Sequence, residues 1–108
     1  MSKSQRTKGQ AGERELAGII NDELGTSISR NLDQTRDGGC DLWLTVAGKP
    51  MAIECKRQER ASVPAWLAQV AKVEAEYHVV AWRPSRQPWT VCMPLEDFLK
   101  LTREAGVE

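Results

Sequence analysis

The sequence is poor in the residues that form disulfides and zinc sites. It has three cysteines and a single histidine, and no two cysteines stand in a C-x-x-C spacing. An odd number of cysteines without that spacing argues against a disulfide framework or a structural zinc site. We therefore expect Cys40, Cys55 and Cys92 to be ordinary thiols, buried or half-buried, because a free cysteine packs like a small apolar residue.

Long apolar runs are also missing. No segment approaches the roughly 20 apolar residues of a membrane span, and the N-terminal stretch MSKSQRTKGQAGERE lacks the apolar core of a signal peptide. We expect a cytoplasmic protein without a membrane partner. The formal net charge is zero, but bases crowd the N-terminus and the segment 56–60 while acids gather at the C-terminus. A basic face is therefore compatible with overall neutrality.

Hydrophobic periodicity divides the chain into helices and strands of one domain spanning residues 1–108. We predict helices over 9–25, 62–78 and 94–104, a strand over 26–35, a hairpin over 40–57, and strands over 78–83 and 89–93. Residues 1–8 are expected to form a flexible basic arm. The order α-β-β-β-α-β-β-α predicts the α/β class, with a mixed β-sheet flanked by helices.

The stretch CDLWLTVAGKPMAIECKR gives the clearest hairpin signal, with its turn placed at Gly48 and Lys49 as type II′. Apolar side chains of both strands then share one face: Leu42, Leu44, Val46, Met51, Ile53 and Cys55. The opposite face brings Asp41, Glu54 and Lys56 to one end, with Asp41 opposite Lys56. The two acids are diagonal neighbours at ~7 Å, a gap that a divalent ion can bridge.

Two interpretations are open for this polar end. A solvated face with a weak ion pair is the simpler one, but its neighbours Trp43, Thr45 and Ala52 are not typical of a solvated face, which favours a site. Glu13 lies on or beside the apolar stripe of the first helix. It is either a first-turn acid favoured by the helix dipole or a partner of that site, because a carboxylate facing the core is costly when unpaired.

Four segments, KGQAGERELA, GGCDLWL, MAIECKR and VPAWLAQV, resemble the PD-(D/E)XK nuclease superfamily. Within it, the chain is most similar to archaeal-type Holliday junction resolvases and their phage relatives, over about residues 8 to 98. The resemblance implies a restriction-endonuclease-like fold. It implies that Asp41 and Glu54 bind the metal with support from Glu13, that Lys56 is the catalytic lysine, and that Gln69 belongs to the same catalytic set.

The resemblance further implies Mg²⁺ as the cofactor, with Mn²⁺ able to replace it, and a homodimer that cuts opposed strands of branched DNA. Arg30 matches a DNA-contacting arginine of such resolvases. The other candidates for phosphate contacts are basic residues: Lys3, Arg6, Lys8, Arg36, Arg57 and Arg60. One departure from the family is Cys40, which replaces the proline before the aspartate and affects backbone stiffness more than chemistry. The expected setting is a prokaryotic cell or a phage-infected host.

These expectations lead to a metal-dependent, structure-selective DNA endonuclease that resolves four-way junctions by paired nicks. An enzyme of the same chemistry that cuts flaps, nicks duplex DNA or reads a specific sequence is an alternative. A catalytically silent DNA-binding module is another. The presence together of Glu13, Asp41, Glu54 and Lys56 argues against the silent module, because binding alone does not require them. Trp82 and Trp89 flank the turn PSRQP and are candidates for core, base-stacking or dimer contacts.

Overall fold

The computed structural model describes residues 3–32 and 39–108. In these residues the elements are α1 (Lys3–Leu24), β1 (Leu42–Val46), β2 (Lys49–Lys56), α2 (Val63–Val70), β3 (Tyr77–Trp82), β4 (Thr90–Cys92) and α3 (Leu95–Ala105). The strands form a sheet in the order β1-β2-β3-β4, antiparallel except for the parallel β2–β3 pair. The predicted class is confirmed: an α/β fold with a mixed sheet flanked by helices, consistent with a restriction-endonuclease-like fold.

Helices cover both faces of the sheet. On one face, Leu16 and Ala17 of α1 and Leu101 of α3 pack with apolar side chains of β1, β2 and β3. On the other face, Trp66 and Val70 of α2 form a second core: Cys40, Ala52, Val73 and Val80 complete it. The parallel β2–β3 pair requires a crossover connection, which α2 supplies. None of the helices in residues 3–32 and 39–108 has the length together with the apolar character that a membrane span requires.

Helix α1 is longer at its start than the sequence predicts. It begins at Lys3, so residues 3–8, which we expected to belong to a flexible arm, are helical. Its end agrees with the prediction, because α1 ends at Leu24 and Gly25 follows with φ 68°. The Gly25 N–H donates to the carbonyl of Asn21 at 2.9 Å, as a left-handed C-terminal residue does.

The prediction of a strand over 26–35 is wrong for residues 26–32, which form no strand. Residues 33–35 lie outside the described residues. The side chain of Asn21 explains the difference. Its amide donates to the Ile28 carbonyl and accepts from the Ile28 N–H, both at 2.9 Å, and it also accepts from the Thr26 hydroxyl at 2.7 Å. Because a side chain satisfies these backbone groups, they are not available to a strand ladder.

The hairpin forms, but its turn lies one residue earlier than predicted. Ala47 and Gly48 both have positive φ, 52° and 75°, which is the type I′ pattern rather than type II′. Lys49 therefore pairs with Val46, and the register shifts by two residues relative to our expectation. A shift of two leaves every side chain on its predicted face. It does change the partner of Asp41, since extending the pairing by one step beyond Leu42 puts Asp41 opposite Glu54 instead of Lys56.

The second predicted helix is too long at its end. Helix α2 ends at Val70, turns follow, and Tyr77 and His78 belong to β3. Tyr77 is fully buried, so the apolar signal that extended the helix belongs to the strand that follows it. His78 thus lies in a strand. Its ring lies 2.9 Å from the Asp97 carboxylate and 2.8 Å from the Val73 carbonyl.

Cysteines and tryptophans take mostly internal positions. All three cysteines are free, with Cys40 buried and the other two half-buried, as expected. Trp66 is in the core and its ring centroid lies 5.6 Å from that of Trp82. Trp89 is half-buried and donates from Nε1 to Glu15 at 2.7 Å. Both tryptophans of the PSRQP turn therefore pack on their own chain, which argues against a dimer patch built from them.

Candidate active site

Charged side chains are buried at one end of strand β2. Glu13, Asp41 and Glu54 are each at least nine-tenths buried. These acids line a cleft of about 710 Å³ together with Lys56 and Gln69. The cleft lies where the two layers of helices meet the sheet, because Glu13 comes from α1, the other acids come from the β1–β2 hairpin, and Gln69 comes from α2.

Asp41 is held by backbone groups on both sides. Its Oδ2 accepts a hydrogen bond from the Cys55 N–H at 2.7 Å. Its own carbonyl accepts from the Asn31 N–H at 2.8 Å, and the Asn31 side chain donates to the Cys40 carbonyl at 2.9 Å. The chain just before β1 is therefore fixed, and the carboxylate points at the end of β2 where Glu54 lies.

The surroundings of Asp41 and Glu54 change the pKa of both carboxyl groups. Burial raises the pKa of Asp41 to about 8, and a hydrogen bond shared with Glu13 and the charge of Glu54 add to this effect. Burial also raises the pKa of Glu54, although Lys56 and a hydrogen bond with Asp41 act in the opposite direction. Carboxylates that face each other away from water cannot all ionise without a cation. This end of β2 is therefore suited to binding a positive ion.

Glu13 is placed for this cluster and not for the helix dipole. Because α1 begins at Lys3, Glu13 lies well inside the helix and the first turn contains no acid, so the first-turn interpretation is wrong. Its Oε2 accepts a hydrogen bond from Arg30 Nε at 2.8 Å. Arg30, expected to contact DNA, thus forms an ion pair inside the cleft.

Lys56 and Gln69 form a pair on the α2 side of the cleft. The Lys56 Nζ donates to Gln69 Oε1 at 3.1 Å, which fixes the ammonium next to the carboxylates. Cys55 also lines the cleft, but burial raises the pKa of its thiol to about 12. Burial therefore favours the protonated form of this thiol in the metal-free protein.

The donor set of the cleft fits a hard divalent cation, since Asp41, Glu54 and Glu13 offer only oxygen ligands. Within the described ranges, no group of three or more His, Cys, Asp or Glu side chains is arranged to hold a metal ion as it stands. Mg²⁺ is usually bound by one or two carboxylates and keeps several waters. A pair of carboxylates such as Asp41 and Glu54 meets that requirement, and Glu13 lines the same cleft.

The structure places some of the expected DNA-contacting residues at the cleft and others away from it. Lys8, Arg30 and Arg57 line the cleft. Lys3 and Arg60 are exposed and do not line it. The Arg6 side chain and Arg36 lie outside the described residues.

Several residues of this region were not identified as part of the site by their sequence pattern. Gly12 lies inside α1, and a Cβ there would collide with the side chain of Arg57. A glycine in the middle of a helix is itself a signal of such a close approach. Glu59 also lines the cleft and binds Ser85 on the turn between β3 and β4. No sequence signal indicates that contact, because the two residues are 26 positions apart.

Residues 4–106 of this chain match a family described as "Phage putative PDDEXK endonuclease". Curated proteins and solved structures yield no match. The matched range contains all five side chains of the cleft cluster: Glu13, Asp41, Glu54, Lys56 and Gln69.

Proposed function

Because the chain belongs to the family of phage PDDEXK endonucleases, we propose that it is a metal-dependent, structure-selective DNA endonuclease that resolves four-way junctions by paired nicks. Membership in the PD-(D/E)XK superfamily indicates a nuclease with DNA as substrate and a general dependence on divalent metal. The observation that carries the proposal is the meeting of three buried carboxylates with Lys56 in one cleft.

The proposal gives each side chain of the cleft a role that is compatible with its position. Asp41 and Glu54 would hold Mg²⁺ or Mn²⁺, with Glu13 completing the cluster from α1. A bound divalent cation would supply the positive charge that stabilises a phosphodiester during hydrolysis. Lys56, held by Gln69 at 3.1 Å, would orient the attacking water and stabilise the negative charge that develops on the phosphate.

Junction resolution requires two cuts in opposed strands, and a homodimer with one cleft per subunit would make them. Support comes from α3, where Leu95, Phe98 and Leu99 are 69%, 49% and 47% exposed. Their spacing puts them on one helix face, and an exposed apolar face of this kind is typical of protein interfaces. Light scattering should show a dimer that Phe98→Asp converts to a monomer. A variant that remains dimeric would remove this face as the interface.

The proposal treats residues 1–108 as a single nuclease domain that acts in the cytoplasm, in DNA recombination or repair. Phosphate contacts would come from the basic side chains of the cleft, Lys8, Arg30 and Arg57. Such contacts position the enzyme on DNA without reading its sequence, which suits an enzyme that selects its substrate by shape.

The test is cleavage of an end-labelled synthetic four-way junction, beside a linear duplex and a flap, each with Mg²⁺ and with EDTA. Paired symmetric nicks in the junction that need metal, and that Glu54→Gln abolishes, are the expected result. Metal-dependent cutting of the flap or the duplex in preference to the junction would support the alternative, a nuclease with the same chemistry and a different DNA substrate.

A catalytically silent DNA-binding module is the second candidate, because Glu13, one of the three acids, already has a cationic partner in Arg30 at 2.8 Å. The two candidates differ in metal binding. Titration calorimetry with Mn²⁺ should show binding to the wild type that Asp41→Asn weakens. Tight junction binding without heat from Mn²⁺ and without cleavage would identify the silent module instead.

A further inference from the structure

Residues 83–88, between β3 and β4, form a turn that is stabilised by hydrogen bonds within it. We name it the β3–β4 turn. The Arg83 Nε donates to the Gln87 carbonyl at 2.8 Å, and the Gln87 N–H donates to the Pro84 carbonyl at 3.3 Å. Pro84 and Pro88 restrict the backbone on either side of the exposed residues. The turn thus keeps one shape without help from another molecule.

The same turn is attached to the wall of the cleft. Glu59, which lines the cleft, accepts hydrogen bonds from the Ser85 N–H at 3.0 Å and from the Ser85 hydroxyl. Lys8 pairs with Glu59 at 3.3 Å, and Arg57 donates to the Arg83 carbonyl at 2.7 Å. The Ser85 hydrogen bonds lower the pKa of Glu59 to about 2, so the carboxylate that anchors the turn stays charged at neutral pH.

Arg86 stands at the exposed part of this turn in an unfavourable backbone conformation. Its φ is 63°, a region that side chains other than glycine rarely adopt. The side chain is exposed and makes no hydrogen bond or ion pair with a residue that the structure describes. Its neighbour Arg83 differs, since it pairs with Glu15 at 3.3 Å. Strain of this kind persists where the surroundings impose it, and it gathers at binding sites.

We infer that the β3–β4 turn is a rigid arm of the DNA-binding surface, on which Arg86 contacts a backbone phosphate next to the cleft. The inference rests on the proposed function. The acids around the turn are already paired, Glu59 with Lys8 and Ser85, and Glu15 with Arg83. Arg86 therefore carries a positive charge that the described acids of this wall do not pair with, and a phosphate is the group that complements it. Glu59 is a positioning residue that holds the turn in place.

The experiment measures binding of a fluorescently labelled four-way junction in EDTA, from about 50 to about 200 mM salt. Arg86→Gln removes the charge, Arg86→Lys retains it, and Arg103→Gln removes an exposed arginine of α3 that does not line the cleft. Arg86→Gln should raise Kd about three- to fivefold and lower the salt slope by about 1. Arg86→Lys should restore both values, and Arg103→Gln should leave them unchanged.

Folding is controlled by thermal melting and by Arg86→Gly. Glycine adopts a positive φ without strain, so this variant removes the charge without the conformational cost and should also lower the salt slope by about 1. The inference is wrong if the wild type binds the junction and both Arg86→Gln and Arg86→Gly have the Kd and salt slope of Arg103→Gln. The proposed function stands in that case. If the wild type binds neither the junction nor a flap nor linear duplex, the role in DNA binding fails and the inference fails with it.

Discussion

In residues 3–32 and 39–108, buried carboxylates occur in two places with different surroundings. Asp97 of α3 is 5% exposed and accepts the His78 N–H at 2.7 Å, with the His78 ring Nδ1 at 2.9 Å. Asp41 is 9% exposed, receives one N–H at 2.7 Å from Cys55, and otherwise faces Glu13 and Glu54. The first acid has donors within its own chain. The second is surrounded by acids.

The difference separates an acid whose buried charge is compensated by hydrogen-bond donors from acids whose buried charges face one another. A buried carboxylate with enough hydrogen-bond donors stabilises the elements that it joins. Buried carboxylates that face one another destabilise the protein until a cation arrives, and such groups mark functional sites.

The largest effect should come from Glu54→Gln, which removes one negative charge from the cleft. Cleavage should fall by about a thousandfold or more, because the proposed function makes Glu54 a ligand of the cation. The unfolding free energy should not fall, since the repulsion among the acids decreases. Steady-state cleavage of the preferred DNA substrate and urea unfolding measure the two quantities. Glu96→Gln, an exposed acid of α3, is the matched control, and an equal loss of activity in it would contradict the assignment.

Asp97→Ala should act in the opposite way, on stability and not on catalysis. It leaves the His78 N–H without its acceptor, and we expect the unfolding free energy to fall by about 2 to 3 kcal/mol. The rate of cleavage per folded molecule should stay within about twofold of the wild type at a temperature where both are folded. A loss of cleavage without a loss of stability would place Asp97 in the active site and break the comparison.

Asp41→Asn should stabilise the metal-free protein at alkaline pH. The folded pKa of Asp41 is about 8 against an ordinary value of 3.8, so between these values the folded state holds a proton that the unfolded chain has released. The unfolding free energy of the wild type therefore falls as pH rises through this window. In EDTA at pH 8, Asp41→Asn should be more stable than wild type by about 1 to 2 kcal/mol.

Urea unfolding at pH 5 and pH 8 tests the sign. Asp22→Asn, which changes an exposed acid of α1, should keep the wild-type difference between the two pH values. The contradicting result is an unfolding free energy that rises from pH 5 to pH 8 by more in the wild type than in Asp41→Asn. It would show that the acids of the cleft do not repel one another in the folded state.

The smallest effect concerns Tyr77, whose buried hydroxyl finds no hydrogen-bond partner among the described residues. Tyr77→Phe removes a group that is desolvated without compensation, so the unfolding free energy should rise by up to about 1 kcal/mol. Tyr77→Leu is the contrasting variant, because it also removes ring volume from the core and should destabilise. Thermal melting distinguishes them. A destabilised Tyr77→Phe protein would show that the hydroxyl is satisfied.

How far the site could be predicted depends on the range of the interactions. The faces of the hairpin were correct although its register was wrong by two residues, since side chains alternate with a period of two. Gln69 and Lys56 were assigned to one site by resemblance, and the structure brings their side chains into contact. The strand over 26–32 was wrong because the Asn21 side chain takes the backbone groups of Ile28, a contact that periodicity does not reveal.

The sequence by itself determined the local elements of this protein: the apolar periodicity of α1, the alternation of the hairpin, and the presence of the acids and the lysine at the end of β2. Tertiary structure alone decided which polar groups meet. The pairs His78–Asp97 and Glu59–Ser85 join residues 19 and 26 positions apart, and Asp41 meets Glu13 only because α1 packs on the sheet. Burial makes the difference, since it removes the water that would otherwise satisfy each carboxylate separately.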